Sequence, residues 1–282
     1  MNKVAIVTDS TAYIPTDLLD QYSIRVAPQV LIWGNETLLD GVDIQPDEYY
    51  RRLKTAKIMP STSQASPKSF TEIYKQLLDE DYQILTVVLS AQLSGTLTSA
   101  EQAKEFFPDA PIEILDSYTT AMAMGFQVLA AARAAQKGAS LEECKAVVEE
   151  ARKHVGVIFA VDTLEFLHRG GRIGGGTRLL GTALTIKPIF EISGGRVEPL
   201  EKVRTRKKSL TRLIEIMEGC IDKQQPVHLA TLHANAPEEA KWLSEEANKR
   251  FNVSENVFST VSPVVGTHAG PGTVGLAWMV EH

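Results

Sequence analysis

Short apolar runs that break off in polar residues, each followed by a helical pattern, constrain this chain more than any other feature. Val4-Ala5-Ile6-Val7 runs into Thr8-Asp9-Ser10, Ile84 to Leu89 runs into Ser90, and Ile112-Glu113-Ile114-Leu115 runs into Asp116-Ser117. Helical patterns lie between and after them, at about 67–78, 97–106, 120–136 and 140–154. Such alternation predicts a parallel sheet covered by helices. Ligands of parallel sheets gather beyond the carboxyl ends of the strands, where Asp9, Ser90, Ser94 and Asp116 fall.

After about residue 156 the texture changes. A glycine-rich stretch, Gly170 to Gly176, leads through apolar residues to Lys187-Pro188-Ile189-Phe190-Glu191-Ile192, and Ser193-Gly194-Gly195 reads as a hairpin turn before Arg196-Val197-Glu198. Two more helices are expected near 207–219 and 237–251, with strands near 227–232 and 256–261. The 282 residues therefore read as an α/β protein in two parts: a parallel-sheet α/β domain over 1–158 and an α+β domain over 159–282. The segment 120–136 is apolar around most of its circumference, so it is expected to be buried on nearly every side. Its methionines and alanines suit a packed core or an adaptable lipid-lined wall, and periodicity leaves both open.

Composition removes several function classes. A formal net charge of −6 and the lack of any helix-turn-helix pattern or basic recognition helix argue against nucleic-acid binding. Cys144 and Cys220 form no CxxC pair, and Met1-Asn2-Lys3-Val4 opens straight into a strand pattern, so a cytoplasmic location is expected. No apolar run approaches the roughly 20 residues that cross a bilayer, so no stable membrane insertion is expected. The histidines form neither HExxH nor a tight cluster, and no metal is expected. His228 and His233 fall on opposite faces of a strand, and His154 and His282 are expected in solvent.

Three separated stretches look like parts of one anion site: Pro60-Ser61-Thr62-Ser63-Gln64, Leu93-Ser94-Gly95-Thr96, and Gly266-Thr267-His268-Ala269-Gly270-Pro271-Gly272. They set hydroxyl donors beside glycines without the lysine or metal ligands that a polyphosphate needs, which suits a carboxylate or a single phosphate. Gly170 to Thr177 has a P-loop frame, but Gly176 stands where the essential lysine belongs, so a loop covering a ligand is expected there rather than nucleotide hydrolysis. Ser94 has three readings: cap of a helix starting near Leu97, ligand donor, or nucleophile with His268 as base. The G-x-S-x-G elbow that would favour the third is missing. Basic residues concentrate at His168, Arg169 and Arg172 and again at Lys202, Arg204, Arg206, Lys207 and Lys208, which reads as a solvated face or as a dock for an acidic partner or phosphate.

Taken together, Val7-Thr8-Asp9-Ser10-Thr11, Thr62-Ser63-Gln64, Leu93-Ser94-Gly95-Thr96 with Ser99-Ala100, Asp116-Ser117, Leu164 through Arg169-Gly170-Gly171-Arg172-Ile173, Lys187-Pro188-Ile189 and Gly266-Thr267-His268 resemble the DegV family of bacterial fatty-acid-binding proteins over almost the whole chain. The resemblance implies a non-catalytic protein without a cofactor that holds one long-chain fatty acid, such as palmitate, between its two domains, in fatty acid transport or metabolism. Thr62 and Ser94 would then hydrogen-bond the carboxylate, with Gly95, Thr267 and His268 close by. In some members a separate kinase phosphorylates the bound acid, and a cytoplasmic kinase of that kind is the expected protein partner. Arg169, Arg172, Arg204 and Arg206 are expected to dock it at the rim. The competing reading is a Ser94/His268 esterase or acyl-transfer enzyme. Ala65, Ala91 and Gly174-Gly175-Gly176 depart from the usual family pattern, which bears on loop shape and on which acyl chain fits.

Overall fold

The first strand, β1 (Lys3–Asp9), alternates its side chains between two apolar layers, because Ala5 and Val7 point to one face and Ile6 to the other. A computed structural model describes residues 3–177 and 186–281. After a 3-10 turn, Ser10–Ala12, come α1 (Thr16–Gln21), β2 (Arg25–Ala27), β3 (Val30–Trp33), β4 (Glu36–Leu39), α2 (Pro46–Leu53) and β5 (Ser61–Ser63). The chain continues through α3 (Pro67–Asp79), β6 (Tyr82–Val88), α4 (Thr96–Lys104), β7 (Ile112–Asp116), α5 (Ala121–Gln136) and α6 (Leu141–Ala151). The remainder is β8 (Val155–Ala160), α7 (Glu165–Arg169), β9 (Lys187–Ser193), β10 (Arg196–Val203), α8 (Arg206–Cys220), β11 (Val227–His233), α9 (Pro237–Arg250), β12 (Val253–Thr260), α10 (Pro263–Ala269) and β13 (Val274–Val280).

Among the described residues the strands form three sheets. The first, β2-β1-β6-β7, is parallel throughout, with α3 and α4 on one face and α5 and α6 on the other. The second, β10-β9-β8-β13-β11-β12, is mixed and packs α8 and α9 on its far face. This is the expected α/β architecture with a parallel N-terminal sheet and a mixed C-terminal sheet. β8 runs through residue 158 and lies inside the second sheet. The third sheet, β4-β3-β5, is short and antiparallel, and residues 25–63 carry no periodic signal long enough to announce it.

α5 explains how the two large sheets share one core. It packs against β1 and β6 on one side and β8 and β13 on the other. Its residues Ala121 to Leu129 are all buried, as its all-round apolar pattern demands. Gly125 permits the approach: a Cβ there would lie 2.6 Å from the Ala12 carbonyl oxygen and 2.8 Å from Met122 Sδ. Its near-neighbours Met122, Met124 and Phe126 are fully buried. A Gly125→Val variant is expected to lose about 1 to 3 kcal/mol through overpacking, read as a lower urea midpoint with unchanged m-value.

Smaller expectations meet mixed outcomes. Ser193 and Arg196 close the β9–β10 hairpin around Gly194 and Gly195, both at positive φ (55° and 79°). α4 begins at Thr96 with Gly95 at its N-cap and no side-chain capping bond, so Ser94 does not cap it. His154 is half-buried and meets Glu150 at 3.1 Å instead of standing in solvent. His282 and the apolar residues 178–185 lie outside the described residues.

Candidate functional site

The segments that follow β1 and β6, with the start of α5, form one edge of a cavity whose opposite wall is the inner face of the second sheet. It comprises about 1040 Å³ of unfilled space, a figure that includes the open solvent at its mouth. Leu89, Val157, Phe159, Leu167, Ile192, Leu232, Val261 and Val264 make most of its wall apolar. Thr62, Gln64, Ser94, Arg172 and His268 supply much of the polar part.

Not every polar residue at the strand ends faces this space. Asp9 is fully buried and accepts hydrogen bonds from Thr11 N (2.9 Å), Thr11 Oγ1 (2.7 Å) and Leu89 N (2.8 Å), which ties the ends of β1 and β6 together. Burial raises its pKa against these donors. Ser90 donates to the Gly195 carbonyl at 2.9 Å, and Asp116 accepts from Tyr118 N and Ala91 N. These residues shape loops, and Ser94 is left facing the cavity.

The third sheet aims Thr62. Thr62 pairs with Leu31, which is fully buried, so both point inward while Ser61 and Ser63 are exposed. Its Oγ1 lies 2.7 Å from His268 Nε2, presented by α10. The imidazole packs so closely on the end of α7 that a Cβ on Gly170 would collide with His268 Nδ1, which has no hydrogen-bond partner among the described residues. Desolvation, helped by the Arg172 guanidinium, lowers the His268 pKa to about 4. The ring is therefore neutral at physiological pH. With its proton on Nε2 it donates to Thr62 and frees the threonine O–H to donate into the cavity.

Ser94 has an equivalent support. Its Oγ lies 2.9 Å from Thr96 Oγ1, and buried Gln29 donates from Nε2 to Thr96 Oγ1 at 2.9 Å while accepting from Ala65 N at 3.0 Å. Thr96 Oγ1 also lies 3.2 Å from Gln29 Oε1, so its single proton goes either to Gln29 or to Ser94, and in the second arrangement the serine O–H is free for a ligand. Ser94 and His268 share no hydrogen bond: Ser94 Oγ meets Thr96 and His268 Nε2 meets Thr62.

The other expected site residues fall in several places. Gly95 follows Ser94 at the mouth, where a Cβ would press on the Gln64 side chain at 3.2 Å. Thr267 does not line the cavity: it donates to the Pro263 carbonyl at 2.9 Å and lies 3.0 Å from the Tyr49 hydroxyl, which ties α10 to α2. Arg172 does line it, donating to the carbonyls of Leu93 (3.1 Å) and Gly170 (2.8 Å) at the mouth. Arg169 is exposed and pairs with Glu165, and Arg204 is exposed. Arg206 turns back onto Glu239 and the Gly272 carbonyl. Sequence reasoning did not reach Gln29 or Thr96 as supports of the site. Among the described residues no group of three potential ligands could hold a metal ion, and no helix is long and apolar enough to cross a membrane.

Comparison with known proteins agrees with this geometry. Residues 3–281 match the profile of a family described as "Uncharacterised protein, DegV family". A DegV domain-containing protein of Streptomyces coelicolor is 37% identical over 275 residues, covering 97% of each chain. Among solved structures, a DegV family protein from Thermus thermophilus described by its fatty acid binding superposes with a TM-score of 0.93 at 32% identity, covering 99% of this chain and 100% of its own. DegV of Bacillus subtilis, described as a fatty acid binding protein, gives 0.90 at 33% identity with full coverage of both. The fold and site define an α/β protein with an apolar cavity between two sheets. The chain belongs to the DegV family.

The depressed His268 pKa has a definite sign. A histidine held below its ordinary 6.5 costs the fold nothing above about pH 6.5, where the ring is neutral folded or unfolded, and stability is lost as pH falls from 6.5 toward 4 because the unfolded chain takes up the proton first. NMR of the imidazole is expected to show a neutral ring at pH 5, and His268→Gln is expected to flatten the part of the stability profile between pH 6.5 and 4.

Proposed function

We propose that this protein binds one long-chain fatty acid, with the acyl chain in the cavity between the sheets and the carboxylate at the Thr62–Ser94 end. The observation that carries this reading is the pairing of an apolar cavity with two hydroxyls at one end of it, each supported by a hydrogen-bonded neighbour. Burying about fourteen methylenes at roughly 0.8 kcal/mol each yields on the order of 11 kcal/mol before the cost of immobilising the chain. The tail then supplies affinity and the head needs only orientation. Neutral donors provide that without burying an arginine against the carboxylate. In this arrangement Thr62 and Ser94 donate to the two carboxylate oxygens, the Gly95 N–H assists, His268 orients Thr62, and Thr267 holds α10 in place. The fatty acid binding that describes the solved relatives supports the same ligand class.

The protein acts on this reading as a carrier and not as an enzyme. It presents the head group to a separate kinase that forms the acyl phosphate, and Arg169, Arg172 and Arg204 offer the cationic rim for docking. Arg206, paired with Glu239, fixes the neighbouring surface.

Denaturing extraction and mass spectrometry of protein purified from a bacterial host are expected to yield stoichiometric fatty acid of about sixteen to eighteen carbons. Thr62→Val and Ser94→Ala are each expected to weaken binding roughly 10-fold or more, the usual worth of a hydrogen bond to a charged group. Neither variant nor the parent should turn over an activated ester. Ester hydrolysis that disappears in Ser94→Ala, or an empty purified protein, would overturn the reading.

A further inference from the structure

Thr62 and Ser94 stand at the same end of the cavity, but the groups behind them differ in one respect: only Ser94 can reverse its hydrogen-bond polarity. Behind Thr62 stands His268, whose Nε2 lies 2.7 Å from Thr62 Oγ1. Its Nδ1 has no partner among the described residues and packs against the end of α7. A proton there would be a buried orphan N–H, which folded proteins rarely hold. The proton therefore stays on Nε2, and Thr62 keeps its own O–H for the cavity.

The support of Ser94 is built differently. The hydroxyl oxygen of Thr96, a fully buried residue, lies 2.9 Å from Ser94 Oγ, 2.9 Å from Gln29 Nε2 and 3.2 Å from Gln29 Oε1. Gln29 is itself held in place, because its Oε1 also accepts from Ala65 N at 3.0 Å and only 2% of the residue is exposed. A hydroxyl has one proton and two lone pairs. When Thr96 donates to Gln29 Oε1, it accepts from both Gln29 Nε2 and Ser94 Oγ, and all these contacts are satisfied. Ser94 then turns its lone pairs to the cavity. When Thr96 donates to Ser94 instead, the serine turns its proton to the cavity. The two arrangements use the same atoms at the same distances, so passing between them needs only hydroxyl rotations.

A carboxylate uses the donor form of Ser94. The acceptor form, beside a fixed donor at Thr62, is complementary to a neutral head group that carries one carbonyl and an N–H. Formal charge stays at the mouth: Arg172 donates to the Leu93 and Gly170 carbonyls, and Arg196, in the open basin beyond Ser94, donates to the Gln92 side-chain oxygen. We infer that this end of the cavity also takes a long-chain primary amide, its carbonyl accepting from Thr62, one N–H donating to Ser94 and the other meeting water at the mouth. A neutral head group also escapes the cost of desolvating a charge. The inference rests on the fatty-acid reading for the acyl chain and adds a second ligand class, with the opposite hydrogen-bond demand at Ser94.

The test is displacement of a bound fluorescent fatty acid from the delipidated full-length chain at about pH 8, where hexadecanoate is ionised. The competitors are hexadecanoate, hexadecanamide and heptadecan-2-one, each solubilised with cyclodextrin. The ketone has the shape of the amide with a methyl group in place of its nitrogen. Hexadecanamide is expected to bind about tenfold more tightly than the ketone, because an N–H without a partner at Ser94 would make the more strongly hydrated amide the weaker ligand. Thr96→Val removes the acceptor for the Ser94 proton and should cost hexadecanamide about tenfold, with a loss for hexadecanoate about threefold smaller or less. Thr96→Ser, which keeps the hydroxyl, should restore the parent ratio of amide to acid. Failure of hexadecanamide to displace the probe, a ketone that binds as tightly as the amide, equal losses for acid and amide in Thr96→Val, or a Thr96→Ser ratio no better than that of Thr96→Val would each overturn the inference. The comparison of amide with ketone is made on the parent protein and does not depend on either variant folding. If hexadecanoate itself fails to bind the parent protein, it is the fatty-acid reading that fails.

Discussion

Burial of α5 between the two large sheets is the interaction on which the rest of the molecule depends. A helix that is apolar on nearly all sides has no stable place at a surface, so it draws β1 and β6 to one side and β8 and β13 to the other. One continuous core then runs through both halves of the chain, from Ile6 and Leu85 through Met122 and Phe126 to Val157, Ala230 and Ala277. At the helix start Thr120 and Ala121 border the cavity. The cavity is thus what remains where the wedge between the sheets ends.

The polar end of that cavity is built by a different logic. Its donors are neutral, and each is backed by a partner: buried Gln29 and Thr96 behind Ser94, half-buried His268 behind Thr62. Desolvation keeps the imidazole uncharged, so its contribution is geometric. Positive charge is confined to the rim, where Arg172 and Arg196 are held by carbonyl and amide oxygens. On the proposed reading, an anion is oriented inside by dipoles and meets formal charge only where water can still reach it, which avoids the desolvation penalty of a buried ion pair.

How far the sequence could be read depended on how local each signal was. β1, β6 and β7 were legible because each apolar run stops at a polar residue, and the β9–β10 hairpin because two consecutive glycines admit positive φ. β8 and β13 were not recognised, although they are the central strands of the second sheet. Val-Gly-Val-Ile-Phe-Ala and Val-Gly-Leu-Ala-Trp-Met-Val are short, continuously apolar runs without alternation. The strands of residues 25–63 span three or four residues each and gain their identity only from pairing. Thr267 shows the same limit at the site: adjacent to His268 in the chain, it is turned by the helix toward Tyr49 and away from the cavity.

The sequence by itself determined the layered α/β class, the buried central helix, and the kind of chemistry available: hydroxyls and glycines without a nucleotide-binding lysine. Those properties follow from periodicity and residue type, which are local. Only the tertiary structure decided which hydroxyls converge and what stands behind them. The Thr62–His268 contact joins residues 206 positions apart and the Gln29–Thr96 contact residues 67 apart. Neither has any local signature, because both exist only after two sheets have closed on one helix.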